Sequence, residues 1–301
     1  MSRDAKINLK LLIIVIILSL VAWYKPGIHP TVFNYLSALK ADDIKTIIID
    51  RQDIGQIKLS HNDNGWFLQE PYQLPANPQR VQTITALAQK RSYSSFQVSD
   101  EDLSRFQLDK PLIAIWLNES KFVIGSEAPV NGQRYAMNID ANIQANQNSV
   151  HLINGTVFYQ LRANLDSFIS PHLLPPKASI KSITWHNKKL VLDQGKWQLT
   201  TDDPDTSSDS IAQFLQFWKQ ARASRVETNV TVTLDNAELV KSKTILIQLD
   251  NIEPGLSSLE YLIVQEGEQI KLLRTDIQVA YWITPQILKL LTEFVPVPEK
   301  T

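Results

Sequence analysis

The 301-residue sequence contains no cysteine, five histidines, nine glycines and two methionines. Without cysteine there is no disulfide scaffold, thiol nucleophile, iron–sulfur cluster or thiolate zinc site. The histidines, at 29, 61, 151, 172 and 186, never fall within five residues of one another. His-x-x-x-His and His-Glu-x-x-His metal motifs are therefore missing as well. So few glycines leave no Gly-x-x-x-x-Gly-Lys and no Gly-x-Gly-x-x-Gly phosphate cradle. Nor is there an excess of either charge: 30 basic and 31 acidic side chains give a formal charge of −1. That balance argues against broad electrostatic binding to nucleic acid. With 44% hydrophobic and 20% charged residues, the composition is globular.

One long apolar run is present. Leu11 to Tyr24 carries no charge, and Ile7 to Tyr24 spans 18 residues, with Lys10 near its edge. As a helix it is roughly 27 Å long, close to a bilayer's hydrocarbon thickness. Trp23 and Tyr24 stand at its end, and Pro26-Gly27 stops it. A cleaved signal peptide wants small residues before the cut, whereas this run ends Val-Ala-Trp-Tyr-Lys-Pro. A buried core helix fits poorly with basic residues before the run and aromatics after it. The reading favoured is an uncleaved anchor contacting the bilayer through residues 7–24. Arg3, Lys6 and Lys10 against Asp4 give the preceding tail a net +2, which keeps the N-terminus cytoplasmic and the rest periplasmic.

Beyond residue 42 the chain reads as two copies of one pattern. Asp43-Ile-Lys-Thr-Ile-Ile-Ile and Ser179-Ile-Lys-Ser-Ile-Thr-Trp open them. Each opening leads to a second alternating run and a tight turn into Gly65-Trp66-Phe67-Leu68 or Gly195-Lys196-Trp197-Gln198-Leu199. A helix follows in both. Asn77 caps the first and Pro78 takes its first turn, while Ser208 or Asp209 caps the second. Val81, Ile84 and Leu87 recur as Ile211, Phe214 and Phe217, all at an offset of 130. Later, Leu161, Leu165 and Phe168 recur as Ile287, Leu291 and Phe294, at an offset of 126, on a terminal amphipathic helix. Each copy is expected to run β-β-β-α-β-β-β-α, broken from the other at Pro171–Lys177. The fold class is α+β: an N-terminal transmembrane helix, then two tandem α+β repeats with mostly antiparallel sheets. The expected divisions are 1–25, cytoplasmic tail and anchor; 26–42, juxtamembrane linker; 43–176, first repeat; and 177–301, second, diverged repeat.

These residues also carry a resemblance. Ile44-Lys45, Gly65-Trp66-Phe67-Leu68, Glu70-Pro71 and Pro75-Ala76-Asn77-Pro78 stand in the order found in the DUF4340 family of bacterial envelope proteins. Phe106-Gln-Leu-Asp-Lys-Pro111, Phe122-Val-Ile-Gly125 and Gly132-Gln-Arg134-Tyr135-Ala136 resemble further segments of that family. The resemblance covers about residues 43–176 well and the second copy weakly. It implies an accessory role at a membrane, because no catalytic activity is established for the family and some members accompany membrane transport components.

The search for chemistry yields little. Asp202–Asp209 fails as a calcium loop, since Ser207 replaces the glycine and Gln213 the final glutamate. A solvated loop with a helix cap accounts for it. Gly125-Ser126-Glu127 follows a strand, but no base accompanies the serine. Residues 125–142 read as a long connection in which Arg134 and Tyr135 are candidate partner anchors. The Asn/Gln-rich stretch up to Asn148 reads as a polar turn or edge strand. Between Pro26 and Lys40, Val32, Phe33, Tyr35, Leu36, Ala38 and Leu39 suit a short amphipathic helix, better packed on the first repeat than laid on a membrane.

The expected function is a non-catalytic, single-pass membrane protein serving as an accessory or scaffold subunit of an envelope or transporter assembly. Its expected partners are the lipid bilayer and other inner-membrane or periplasmic proteins, with no nucleic acid, cofactor or metal. The alternative is a periplasmic module binding glycan or peptide in the cleft between repeats, through Arg134, Tyr135, Trp116 and Trp185.

Overall fold

The structure is a computed structural model of the chain, describing residues 3–24, 34–129, 131–140, 148–200, 206–230, 243–250 and 256–294. It divides into two units, 1–34 and 35–301.

The first unit holds helix α1 (Arg3–Tyr24). From Leu11 to Val21 its apolar side chains are roughly half exposed on every face. Among the described residues no helix is long and apolar enough to cross a membrane. The expectation of a transmembrane span over 7–24 therefore finds no support there.

In the second unit, short strands β1 (Asn34–Tyr35), β5 (Leu74–Pro75) and β6 (Arg91–Ser92) accompany two large sheets. The first sheet contains β2 (Thr46–Arg51), β3 (Gly55–Asn62), β4 (Gly65–Glu70), β7 (Ser94–Val98), β8 (Ile113–Leu117), β9 (Ser120–Glu127), β10 (Gln133–Asn138) and β11 (Asn148–Asn154). Helix α2 (Pro78–Thr85) follows β5, and α3 (Thr156–Leu161) follows β11. The second sheet contains β12 (Ser179–Trp185), β13 (Lys188–Asp193), β14 (Lys196–Leu199), β15 (Arg225–Glu227), β16 (Thr244–Asp250), β17 (Ser258–Glu266), β18 (Gln269–Arg274) and β19 (Val279–Ile283). Helix α4 (Ser208–Gln220) follows β14 and α5 (Pro285–Thr292) follows β19.

The two sheets have one topology. The first is ordered β5-β4-β3-β2-β8-β9-β10-β11-β7 and the second β14-β13-β12-β16-β17-β18-β19-β15. Apart from β5, each position in one order has its counterpart in the other. In both, the strand following the helix returns to the far edge, beside the last strand of the meander. Neighbouring strands pair antiparallel in both sheets. The overall class is thus α+β with antiparallel sheets.

Alternation explains which faces pack. Ile47 and Ile49 of β2 and Ile57 and Leu59 of β3 point inward and are buried. In β12 the same face receives Ile180 and Ile183, an odd spacing permitted by a register shift between Ile180 and Ser182. Both inner faces and helices α2 to α5 contribute to one apolar core. Two of the three helix matches are realised: Val81 and Ile84 are buried like Ile211 and Phe214, whereas Leu87, buried just past the end of α2, is matched by Phe217, which is only half-buried while Leu215 and Trp218 face the core. Asn77 caps α2 by accepting from the Gln79 N–H, whereas Ser207, one residue before the expected caps, accepts from Ser210 N–H in α4.

Three expectations change. Each sheet carries more strands than β-β-β-α-β-β-β-α allows; β10 occupies Gln133–Asn138, inside what reads in sequence as a connection. The first copy's terminal helix is broken, with Leu165–Phe168 in a separate 3-10 turn. The buried Arg51 guanidinium donates to the Leu161 and Ala163 carbonyls and so takes up backbone groups at the end of α3. Between Pro26 and Lys40 no helix forms where the chain is described; β1 takes Asn34–Tyr35 there. Leu36 and Ser37 donate backbone bonds to Lys90 and Ala88, and Leu36 is buried in the core while Tyr35 stays exposed. The proline-rich segment 171–176 is itself packed. Leu173 N–H donates to Ala221 O, Ala223 N–H to Pro171 O and Ser170 N–H to Pro75 O. Val32 and Phe33, residues 202–205 of the acidic stretch and 141–147 of the Asn/Gln-rich stretch lie outside the described residues.

Candidate functional site

Arg134 and Tyr135 are neighbours on β10, so their side chains leave opposite faces of the first sheet. Arg134 turns inward. Its Nη1 donates to the Gly125 carbonyl at 2.9 Å, its Nη2 lies 3.7 Å from Glu127 Oε2, and its guanidinium stacks 3.7 Å from the Phe158 ring centroid. Its Nε is buried without a partner. Tyr135 turns outward into a small cluster with Phe106 and Phe96, at centroid distances of 4.7 and 6.2 Å. Trp116 packs against the same outer cluster, with Lys121 Nζ 4.9 Å above its ring.

Trp185 belongs to the other sheet and is 1% exposed. It stacks on Phe214 at 5.0 Å and donates its indole N–H to the Thr292 carbonyl at 2.7 Å. Trp218 does the same for Leu291 O at 3.2 Å. Two indoles thus satisfy carbonyls in the last turn of α5, which have no partner within the helix. The four residues do not converge on one cleft, and Trp185 is closed to any ligand. This corrects the expectation that they line a common site, because strand alternation and core burial separate them.

Two concavities lie elsewhere. One, of about 650 Å³, sits between α2 and the start of the first sheet, where His61 and Trp66 meet edge to face at 5.3 Å beside Asp42, Lys45, Gln82 and Gln89. The other, of about 510 Å³, lies at the junction of the two sheets and is lined by Ser170, His172, Leu174, Pro175, Lys177 and Lys219, among others. Burial, followed by the charge of Arg222, lowers the pKa of His172. Burial alone lowers that of His151, whose Nδ1 has no partner. Among the described residues no group of three or more His, Asp or Glu stands close enough to hold a metal ion.

Sequence reasoning passed over both concavities. Their polar groups come from segments far apart in the chain, and no local motif gathers them. The one available signal is the compact Ser170-x-His172…Lys177 spacing around the prolines.

The family model described as a domain of unknown function, DUF4340, matches residues 66–249, more than half of the chain. The chain belongs to the DUF4340 family. No curated protein and no solved structure matches it. The matched region begins at Trp66 in β4 and ends at Leu249 in β16, so it crosses from the first sheet into the second. It starts later than the resemblance read from sequence and extends well past the proline-rich junction.

In this DUF4340 chain the glycine-containing motifs serve packing. A Cβ on Gly125 would overlap the Phe106 carbonyl oxygen and crowd Leu108. That close approach also lets the Ser126 hydroxyl donate to Phe106 O at 3.3 Å. A Cβ on Gly155 would overlap Gly132 O, the acceptor of the Gly155 N–H. Arg134, bound to Gly125 O and stacked on Phe158, ties this corner to α3.

Proposed function

We propose that this DUF4340 protein is a non-catalytic accessory or scaffold subunit of an envelope assembly, anchored in the inner membrane by its N-terminal helix, with the body periplasmic. The observation carrying this reading is α1. Its apolar side chains from Leu11 to Val21 are exposed on every face, and a helix apolar all round needs an apolar surrounding. In the sequence the run extends from Ile7 to Tyr24, with basic residues before it and aromatics at its end. The body supports the scaffold part: Gly125, Gly155 and Arg134 of its motifs act in packing, and the buried Arg51 and Arg274 lie in structural pairs. Arg51 forks onto Asp53, and Arg274 onto Asp276. Anchoring would confine this rigid body near membrane partners and raise its effective concentration there. The ligand-cleft alternative loses its basis with the separation of Arg134, Tyr135, Trp116 and Trp185.

The test is fractionation and crosslinking of the tagged full chain in cells. The proposal expects the chain to stay with membranes after an alkaline wash and a variant lacking residues 1–25 to be released. External protease should reach the body only after the outer membrane is opened. Other membrane proteins should be recovered near stoichiometrically after crosslinking. Recovery of the full chain in the soluble fraction overturns the anchor; recovery of the folded, membrane-bound chain alone overturns the scaffold role.

A further inference from the structure

The junction concavity combines a cationic rim with apolar walls. Lys177 and Lys219 contribute ammonium groups, Ser170 and His172 polar groups, and Leu174 and Pro175 apolar surface. Among the described residues no acidic side chain lines it. The cations come from separate elements: Lys219 from the last turn of α4 and Lys177 from the segment joining the sheets. Lys177 adopts a left-handed backbone at φ 57, an uncommon conformation for a residue with a side chain. Its Nζ donates to the Asp63 carbonyl at 2.6 Å, which fixes the ammonium in place and leaves two of its three protons unspent on that bond.

The inner wall is preorganised. Ser170 is 4% exposed, and its hydroxyl oxygen accepts the His172 N–H at 3.3 Å. That leaves the hydroxyl proton to be donated. His172 is bridged through its backbone to Arg222, whose side chain adds another positive charge nearby. Hydrogen bonds hold the segment on both sides: Ser170 N–H to Pro75 O in β5 of the first sheet, Leu173 N–H to Ala221 O just after α4, and the Tyr261 hydroxyl of the second sheet to Leu173 O. A concavity with two cationic side chains, a buried hydroxyl donor and, among the described residues, no carboxylate is complementary to negative charge.

We infer that the junction concavity binds a small organic anion, a carboxylate or phosphate head carried on a short apolar body. The head would meet Lys177, Lys219 and Ser170, and the body would rest on Leu174 and Pro175. This site is independent of the anchor, since every residue in it belongs to the unit 35–301.

The experiment titrates the purified full chain in uncharged detergent micelles, by calorimetry, with butyl phosphate, butyrate, inorganic phosphate and butylammonium. Saturable binding of butyl phosphate or butyrate is expected, and whichever binds tighter names the head. Inorganic phosphate should bind more weakly than butyl phosphate, and butylammonium should not bind. Lys177→Met and Lys219→Met should each weaken the anion about tenfold, the size of one lost charge-assisted bond. Ser170→Ala should weaken it severalfold, and Lys110→Met should leave it unchanged. Both pocket lysines are exposed, so their variants fold, which circular dichroism checks. The inference is overturned by any of three results: no saturable binding of either organic anion, equal binding of butylammonium, or unaltered affinity in both lysine variants.

Discussion

Tyr261, buried in the second sheet, donates its hydroxyl to the carbonyl of Leu173, in the segment that joins the two sheets. Sequence reads this proline-rich segment as a break; the structure makes it a shared wall of the core. Burial, chiefly, pushes the Tyr261 hydroxyl far above its ordinary pKa, so it remains a donor at any working pH.

Tyr261→Phe should therefore destabilise the fold by about 1–3 kcal/mol, because the Leu173 carbonyl loses its partner without access to water. Urea unfolding of the whole chain, followed by tryptophan fluorescence, measures it. An unchanged midpoint would show that the junction is held by other contacts.

Trp185 and Trp116 should separate sharply under substitution. Trp185→Ala removes a fully buried ring and the hydrogen bond to Thr292 O, for a loss of about 3–5 kcal/mol. Trp116 is half-buried on the outer face, and Trp116→Ala should cost clearly less. Thermal melts of the two variants beside the parent decide this, and equal losses would contradict the assigned burial.

Two glycines make a second contrast. Gly125→Ala drives a methyl into the Phe106 carbonyl, and overpacking of this kind costs about 1–3 kcal/mol or more. Gly267 has nothing within 4 Å of an added Cβ, but its φ of +61 is left-handed. Gly267→Ala should cost only the roughly 1–2 kcal/mol of that backbone region. Denaturation midpoints of both variants test the order.

Asp53 gives a pH dependence. The hydrogen bond from Arg51, with smaller help from the charges of Arg51 and Arg162, holds its pKa down at about 2 against an ordinary 3.8. A depressed carboxylate adds stability that is fully present above the unfolded value and is lost as pH falls through the folded one. The loss should fall between about pH 4 and pH 2. Asp53 is 43% exposed, so solvent screening keeps the effect small. Asp276 acts in the same direction: burial opposes its ionisation, but the Arg274 hydrogen bond and charge outweigh it and lower its pKa. Stability profiles of the parent and Asp53→Asn across this window should converge at the acid end. Parallel profiles would remove Asp53 from the account.

Many of the local elements, and membership of the DUF4340 family, were legible in the residues alone. Alternation marked the strands around Ile47–Ile49 and Leu190, the spacing of Val81, Ile84 and Leu87 marked α2, and Asn77-Pro78 marked its start. These signals are local, because side-chain direction follows from backbone period alone. The charge-free run before Lys25 and its flanks were equally plain to read. What each residue faces was set by packing between distant elements. Arg134 and Tyr135 went to opposite sides of β10, Trp185 went into the core under α5, and α3 stopped where Arg51 reached its carbonyls. The structure also made a wall from Pro171–Pro176 and gathered Ser170, His172, Lys177 and Lys219 around one concavity. Those outcomes depend on which strands become neighbours across more than a hundred residues, and that pairing is fixed by the burial of whole sheet faces rather than by any short stretch of chain.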